Sequence, residues 1–209
     1  MTVRAKICGV TRNSDAQVAV EAGASAIGCV IDVPVDTPRK VSASKAHIIF
    51  KNLPPFVEAV AVIMPDSVEV ASRIAQESGA HTLQLAGDEP VELIAGLKSK
   101  GFRVIKSVPV VGEDTLLKAA QYASCADAIL LDSGRGGTGE PHDWSISRKV
   151  VQNVKIPVIL AGGLKPTNVA AAVRAVRPYA VDASSGLESA PGVKDRLLIR
   201  NFMEALNDA

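Results

Sequence analysis

Residues 157–176 read PVILAGGLKPTNVAAAVRAV. An apolar run led by proline ends in a Gly-Gly turn. After a second proline, Val169, Ala172, Val173 and Val176 recur at i, i+3, i+4 and i+7. Such a run is too short and too continuously apolar for a half-solvated strand, and it suits a strand buried on both faces. The following period is that of a helix with one apolar stripe. Pro166 stands where a first-turn proline is tolerated. The stretch is therefore one strand–loop–helix unit.

The unit recurs along the whole chain. Strand candidates lie at 3–8, 26–31, 57–63, 82–85, 103–108, 128–131, 157–160 and 180–182. Helical stripes between them include Leu116, Ala119, Ala120 and Ala123, and after the last strand Ile199, Phe202, Met203 and Leu206. Gly23, Gly79 and Gly101 fall between a helical segment and the next strand, where a left-handed C-cap is expected. Strict alternation of β and α implies a parallel sheet with right-handed crossovers. Eight units favour a single-domain (β/α)₈ TIM barrel over residues 1–209, with a flavodoxin- or Rossmann-like open sheet as the other solution. No linker, low-complexity tract or charge run divides the chain.

Composition narrows the function. The 209 residues are 47% hydrophobic but only 3% aromatic, so the core is aliphatic. Twenty-three basic and 22 acidic side chains nearly cancel, without a block of one sign. That argues against a nucleic-acid or membrane surface. No apolar stretch approaches a membrane span and the N-terminus carries no signal-like apolar region, so a cytoplasmic protein is expected. Three cysteines without a CxxC pair and three scattered histidines give neither a disulfide framework nor a metal set. No metal and no cofactor is expected.

In a barrel, functional groups sit where strands end. Those ends bring Cys8, Asp32 with its loop to Arg39, Met64–Asp66, Gln84, Ser107, Asp132, 161–163 and 182–186 to one mouth. The loops LAGGLKP (160–166) and DASSGLE (182–188) follow the seventh and eighth strands, the common phosphate site of such barrels. Their Gly162, Gly163, Ser184, Ser185 and Gly186 are candidate anion contacts. Two ordinary tight turns are the alternative, but a pair of such loops at this place in the strand count favours a phosphate site.

Asp132 ends the run AILLD. It either caps a turn or, desolvated at a barrel mouth with its pKa raised, serves as a general acid. Cys8 is either a small core residue or a base toward a carbon acid. Cys29 and Cys125 read as packing residues. Arg39 precedes a helix whose expected N-cap is Ser42, and it is either a solvated loop residue or a receptor for a ligand carboxylate. DSGRGGTGEPHDW (132–144) contains G-x-G-x-x-G at Gly134, Gly136 and Gly139. Neither an immediate helix nor an acid at the right distance follows, so it reads as a loop covering a bound ligand rather than a dinucleotide fingerprint.

KICGVTR, TPRKVS, QLAGDE, LLDSGRGGTGEPHDW, ILAGGLKPTNV and VDASSGLESAPGVKD resemble, in order and over residues 4–195, the motifs of the phosphoribosylanthranilate isomerase family. The resemblance implies a step of tryptophan biosynthesis. N-(5′-phosphoribosyl)anthranilate would undergo an Amadori rearrangement to 1-(2-carboxyphenylamino)-1-deoxyribulose 5-phosphate without metal or cofactor. It also implies roles: Asp132 as general acid on the ring oxygen, Cys8 as base at C2′, and Arg39 on the anthranilate carboxylate. Gly162, Gly163, Ser184, Ser185 and Gly186 would hold the phosphate, Asp182 would lie near the ribose hydroxyls, and Gln84 would also touch substrate. Such a protein would be a monomer or a homodimer. The chain departs from the family at Ala86, where histidine is usual, at His142, where phenylalanine is common, and at Met64-Pro65 after the third strand.

Other phosphate-binding barrels fit less well. An indole-glycerol-phosphate synthase would need a strand-end lysine with glutamates, and Lys6 lies inside the first strand. A ribulose-phosphate epimerase would need histidines and a metal. A dual-substrate isomerase also serving histidine biosynthesis would place aspartate at Cys8. A non-catalytic sugar-phosphate-binding barrel would have no use for an acid–base pair.

Overall fold

The computed structural model describes residues 3–133 and 142–209. The expected ligand-covering loop falls largely on 134–141, outside the described residues.

Eight parallel strands form the barrel: β1 (Arg4–Ile7), β2 (Ala26–Ile31), β4 (Glu58–Ile63), β5 (Thr82–Leu85), β6 (Arg103–Pro109), β7 (Ala128–Asp132), β8 (Val158–Leu160) and β9 (Ala180–Ala183). Each pairs with its neighbour in that order, and β1 pairs with both β9 and β2, which closes the ring. The expected strands match these bounds to within a residue or so. The open-sheet alternative fails on the β1–β2 pairing.

Three short strands escaped sequence reading. β3 (Lys40–Val41) pairs with the end of β2 beyond the reach of β1. β10 (Glu188–Ala190) and β11 (Val193–Lys194) form an antiparallel hairpin after the last barrel strand. Elements so short carry too few residues to show a period.

Helices α1 (Asn13–Glu21), α2 (Ala43–Phe50), α3 (Val68–Ser78), α4 (Val91–Ser99), α5 (Asp114–Ala123), α6 (Trp144–Asn153), α7 (Val169–Val176) and α8 (Arg196–Asn207) cover the sheet. Ser42 caps α2 as expected, its Oγ accepting from Lys45 N at 3.2 Å. Ser67 does the same for α3, and that helix ends on Gly79 in the left-handed region, φ 76°. Pro166 lies in a turn before α7 rather than in the helix proper; that turn starts at the Lys165 carbonyl, which accepts from Asn168 N and Val169 N. The predicted stripes of α7 and α8 are buried throughout. That of α5 is rotated: Thr115 and Ala119 are buried and Ala120 is exposed. Two anchors turn this helix, Thr115 Oγ1 accepting from Val111 N and Tyr122 Oη donating to the Glu89 carbonyl. Alanine carries too little apolar area to oppose them.

Strand residues alternate between two layers. Ala5, Ile7, Ile27, Cys29, Ala61, Ile63, Leu83 and Leu85 pack under the helices. Ala128, Leu130, Ile159, Ala161 and Ala180 fill the barrel interior. The same alternation carries Lys6, Cys8, Gln84, Ser107, Asp132 and Asp182 inward. Buried Phe202 of α8 joins the outer layer. Phe202→Ala is expected to cost about 3–5 kcal/mol of unfolding free energy in urea titrations, because the aliphatic surroundings cannot refill an aromatic volume.

Candidate active site

At the C-terminal ends of the strands lies a cavity of about 530 Å³, a normal volume for a small-ligand site. Cys8, Arg39, Gln84, Asp132 and Asp182 line it, together with residues 162–163 and 184–186. Every residue to which the sequence assigned a catalytic or binding role therefore borders one cavity. Asp32 and Asp66, included in the expected ring, do not line it; both are exposed.

The β1–β9 register sets Lys6 opposite Asp182, and Lys6 Nζ donates to Asp182 Oδ1 at 2.9 Å. The pair is buried, with side-chain exposures of 4% and 9%. Cys8 lies two residues on, on the same face. Gly28 of β2 makes room for both: a Cβ there would stand 2.9 Å from Lys6 Nζ and 3.0 Å from Cys8 Sγ. Burial would lower the Lys6 pKa, but Asp182 and Cys8 outweigh it and hold the ammonium charged. Burial pushes the Cys8 thiol up, with Lys6 the main opposing influence. The resting residue is thus a thiol near neutral pH.

Across the mouth, burial raises Asp132, and nearby Asp182 adds to it, against a hydrogen bond from Ser133 N at 2.7 Å. Gly162, φ 83°, passes so close that a Cβ would stand 2.6 Å from Ser133 N and 2.9 Å from Asp132 Oδ1. The two glycine loops also abut, since a Cβ on Gly186 would lie 2.2 Å from the Leu164 carbonyl oxygen. Gln84 donates to Ser107 Oγ at 3.3 Å and leaves its buried Oε1 without a protein partner among the described residues.

Arg39 is not a free fork. Its Nε and Nη2 edge is taken by Glu188, at 2.9 and 2.7 Å. Among the described residues, its Nη1 has no hydrogen-bond partner. Of the other cysteines, buried Cys29 donates to the Val10 carbonyl and is pushed up to about 12 by burial. Cys125 donates to the Tyr122 carbonyl at the end of α5. Both are packing residues.

Sequence reasoning missed Lys6, Glu188 and Lys194. A lysine in a continuously apolar strand was the available signal, because such a residue is buried only when paired. The departures are also placed. Ala86 and Met64 line the cavity. His142 does not; it is half-buried, burial lowers its pKa, and its Nε2 lies 2.6 Å from Ser147 Oγ. A neutral imidazole so held is compatible with a position where phenylalanine is common.

The sequence matches the family model described as N-(5′-phosphoribosyl)anthranilate (PRA) isomerase over residues 5–205. The chain belongs to this family of isomerases. It is 47% identical to the N-(5′-phosphoribosyl)anthranilate isomerase of Haloferax volcanii, over 99% of this chain and 94% of that one. The crystal structure of the Thermotoga maritima phosphoribosyl anthranilate isomerase superposes with a TM-score of 0.90, at 37% identity, covering 99% of this chain and 100% of the other. A structure of the isomerase in complex with reduced 1-(o-carboxyphenylamino)-1-deoxyribulose 5-phosphate superposes with a TM-score of 0.87, at 36% identity and over 99% and 100% of the two chains.

The Cys8 environment has a measurable signature. The pH midpoint for alkylation of Cys8 by iodoacetamide, with Cys8→Ala as the blank, is expected above the ordinary thiol value of about 8.5. Lys6→Met should move it higher still, since that change removes the nearest cation and leaves Asp182 uncompensated.

Proposed function

We propose that the chain isomerises N-(5′-phosphoribosyl)anthranilate in tryptophan biosynthesis, with Asp132 as general acid and Cys8 as general base. The observation that carries this reading is that a raised carboxyl group and a thiol beside an ammonium border one cavity with two abutting glycine loops.

Asp132 gives its proton to the furanose ring oxygen. The C1′–O bond breaks as the anthranilate nitrogen lone pair forms a C1′=N iminium. Cys8, its thiol proton first released to solvent, takes the C2′ proton as thiolate; the C–H electrons form C1′=C2′ and the iminium electrons return to nitrogen. The enolamine then tautomerises, its hydroxyl losing a proton and C1′ gaining one, to the ketone. No redox change or external group is required. Residues 162–163 and 184–186 hold the phosphate through backbone N–H groups and serine hydroxyls. The free side of Arg39 receives the anthranilate carboxylate, Asp182 lies near the ribose hydroxyls, and Gln84 Oε1 accepts from a substrate N–H or O–H.

Turnover of phosphoribosylanthranilate generated in situ, followed by loss of its fluorescence, tests the reading. Wild type should turn over, and Cys8→Ala and Asp132→Asn should each lose about 10² or more in kcat while remaining folded. An active Cys8→Ala would remove the thiol from the mechanism.

A homodimer is the assembly we favour. The Thermotoga maritima relative is dimeric. In this chain Phe56 follows two prolines between α2 and β4, at the end of the barrel away from the cavity. It is 103% exposed and has φ 70°, a costly conformation for a bulky residue. An aromatic ring held out this way suits burial against a second copy. Sedimentation velocity should give a dimer for wild type and a monomer for Phe56→Ser, with turnover retained; a monomeric wild type would overturn this assignment.

A further inference from the structure

The hairpin β10–β11 carries a buried ionic cluster with no part in the proton transfers above. Glu188 accepts four hydrogen bonds. Oε1 takes Arg39 Nε at 2.9 Å and Lys194 Nζ at 2.8 Å, and Oε2 takes Arg39 Nη2 at 2.7 Å and Gly192 N at 3.1 Å. Lys194 spends its remaining donors on Ser184, at 3.1 Å to the carbonyl and 3.3 Å to Oγ. Side-chain exposures of 1% for Lys194 and 4% for Glu188 put the pair out of water. Burial acts against the Glu188 charge, but the Arg39 and Lys194 hydrogen bonds hold its carboxyl below the ordinary range.

The cluster ties together two loops that are far apart in sequence. Arg39 follows β2 and Ser184 follows β9, and they meet over Gly9, where a Cβ would stand 2.7 Å from Arg39 Cδ and 2.8 Å from Ser184 Oγ. The hairpin is itself pinned: Lys194 N donates to Asp15 and Thr11 Oγ1 donates to the Gly192 carbonyl. Two cations share one carboxylate, so the buried triad keeps one unbalanced positive charge at the cavity wall. A saturated bidentate pair fixes a guanidinium far better than a solvated loop does.

We propose that Glu188 and Lys194 are positioning residues that lock Arg39 and Ser184 into one rigid unit. The receptor for the substrate carboxylate and the start of the phosphate loop are thereby held at a fixed separation. This rests on the functional reading above and assigns the spacing of its two anionic subsites to the hairpin. Neither residue touches the reacting carbons, so their loss weakens substrate binding more than chemistry.

The test uses the full chain, with phosphoribosylanthranilate turnover and binding of inorganic phosphate measured separately. Glu188→Gln should raise KM about tenfold or more and change kcat less than about threefold, the pattern of lost binding common to ground and transition states. The same variant should weaken inorganic phosphate binding about fivefold, because Lys194 loses the partner that holds it on Ser184. In a double-mutant cycle, Arg39→Met and Glu188→Gln should be non-additive in KM by about threefold or more. If Glu188→Gln does not fold, the charge-balanced Glu188→Gln/Lys194→Met protein carries the same KM and phosphate tests. An unchanged KM and phosphate affinity with only a lowered melting temperature would make the cluster purely structural, and additive effects would uncouple the two loops. A wild type that binds inorganic phosphate but does not turn over substrate would instead defeat the functional reading. Phosphate binding by Glu188→Gln would still decide the role of the hairpin.

Discussion

The site depends on where the barrel closes. β1 pairs with both β9 and β2, joining the two ends of the chain, and its register against β9 decides which side chains share a layer. A slip of one residue would turn Lys6 and Cys8 toward the helices and bring Ala5 and Ile7 inward. The Lys6–Asp182 ion pair penalises such a slip. A lone ammonium or carboxylate at that depth is far more costly than the pair, even though the pair itself stabilises little relative to well-packed apolar residues. Gly28 completes the arrangement by leaving the space that both side chains occupy. Closure, register and the environment of the thiol are therefore one constraint.

Much of this is legible in the sequence. Most of the barrel strands appear as largely apolar runs because they are buried on both faces, and the count of eight follows from the strand–helix units. The site residues could be read because a parallel barrel gathers strand ends at one rim. Lys6, Glu188 and Lys194 were not legible for a different reason. Lys6 and Glu188 have partners far away in sequence, Asp182 and Arg39, while Glu188 and Lys194, only six residues apart, meet through a hairpin of two- and three-residue strands. Lys106 belongs to the same class. It lies within the β6 run RVIKSVP and is fully buried. Its Nζ donates to Glu89 Oε2 at 2.9 Å and to the carbonyls of Leu85 and Gly87. In both strands an interior lysine announces that a carboxylate must be near, without saying which one.

The Lys106 cluster also bears on how the cavity accommodates the family departures. Residues 86–88 line the cavity, and Lys106, Glu89 and Tyr122 hold that loop from behind through the carbonyls of Gly87 and Glu89. The backbone there is set by buried contacts behind the loop rather than by the side chain at position 86. Alanine in place of the usual histidine therefore changes the wall of the cavity without releasing the loop that forms it.

The resting charges constrain the order of the proposed steps. Cys8 is a thiol, its anion disfavoured by burial and opposed chiefly by Lys6, while Asp132 is raised toward the protonated form. Both shifts favour the protonated form of the group concerned. A substrate bearing a phosphate and a carboxylate adds negative charge, which by itself disfavours the thiolate further. In the mechanism we propose, the influence that reverses this is the iminium created when Asp132 protonates the ring oxygen. That cation lies one bond from the carbon whose proton is to be removed, and in a desolvated cavity it stabilises a thiolate nearby more strongly than it would in water. Under that proposal, acid catalysis precedes base catalysis for an electrostatic reason. In that mechanism the product of the first step activates the thiol, and Lys6, held in place by Asp182, lowers the remaining cost of forming the anion.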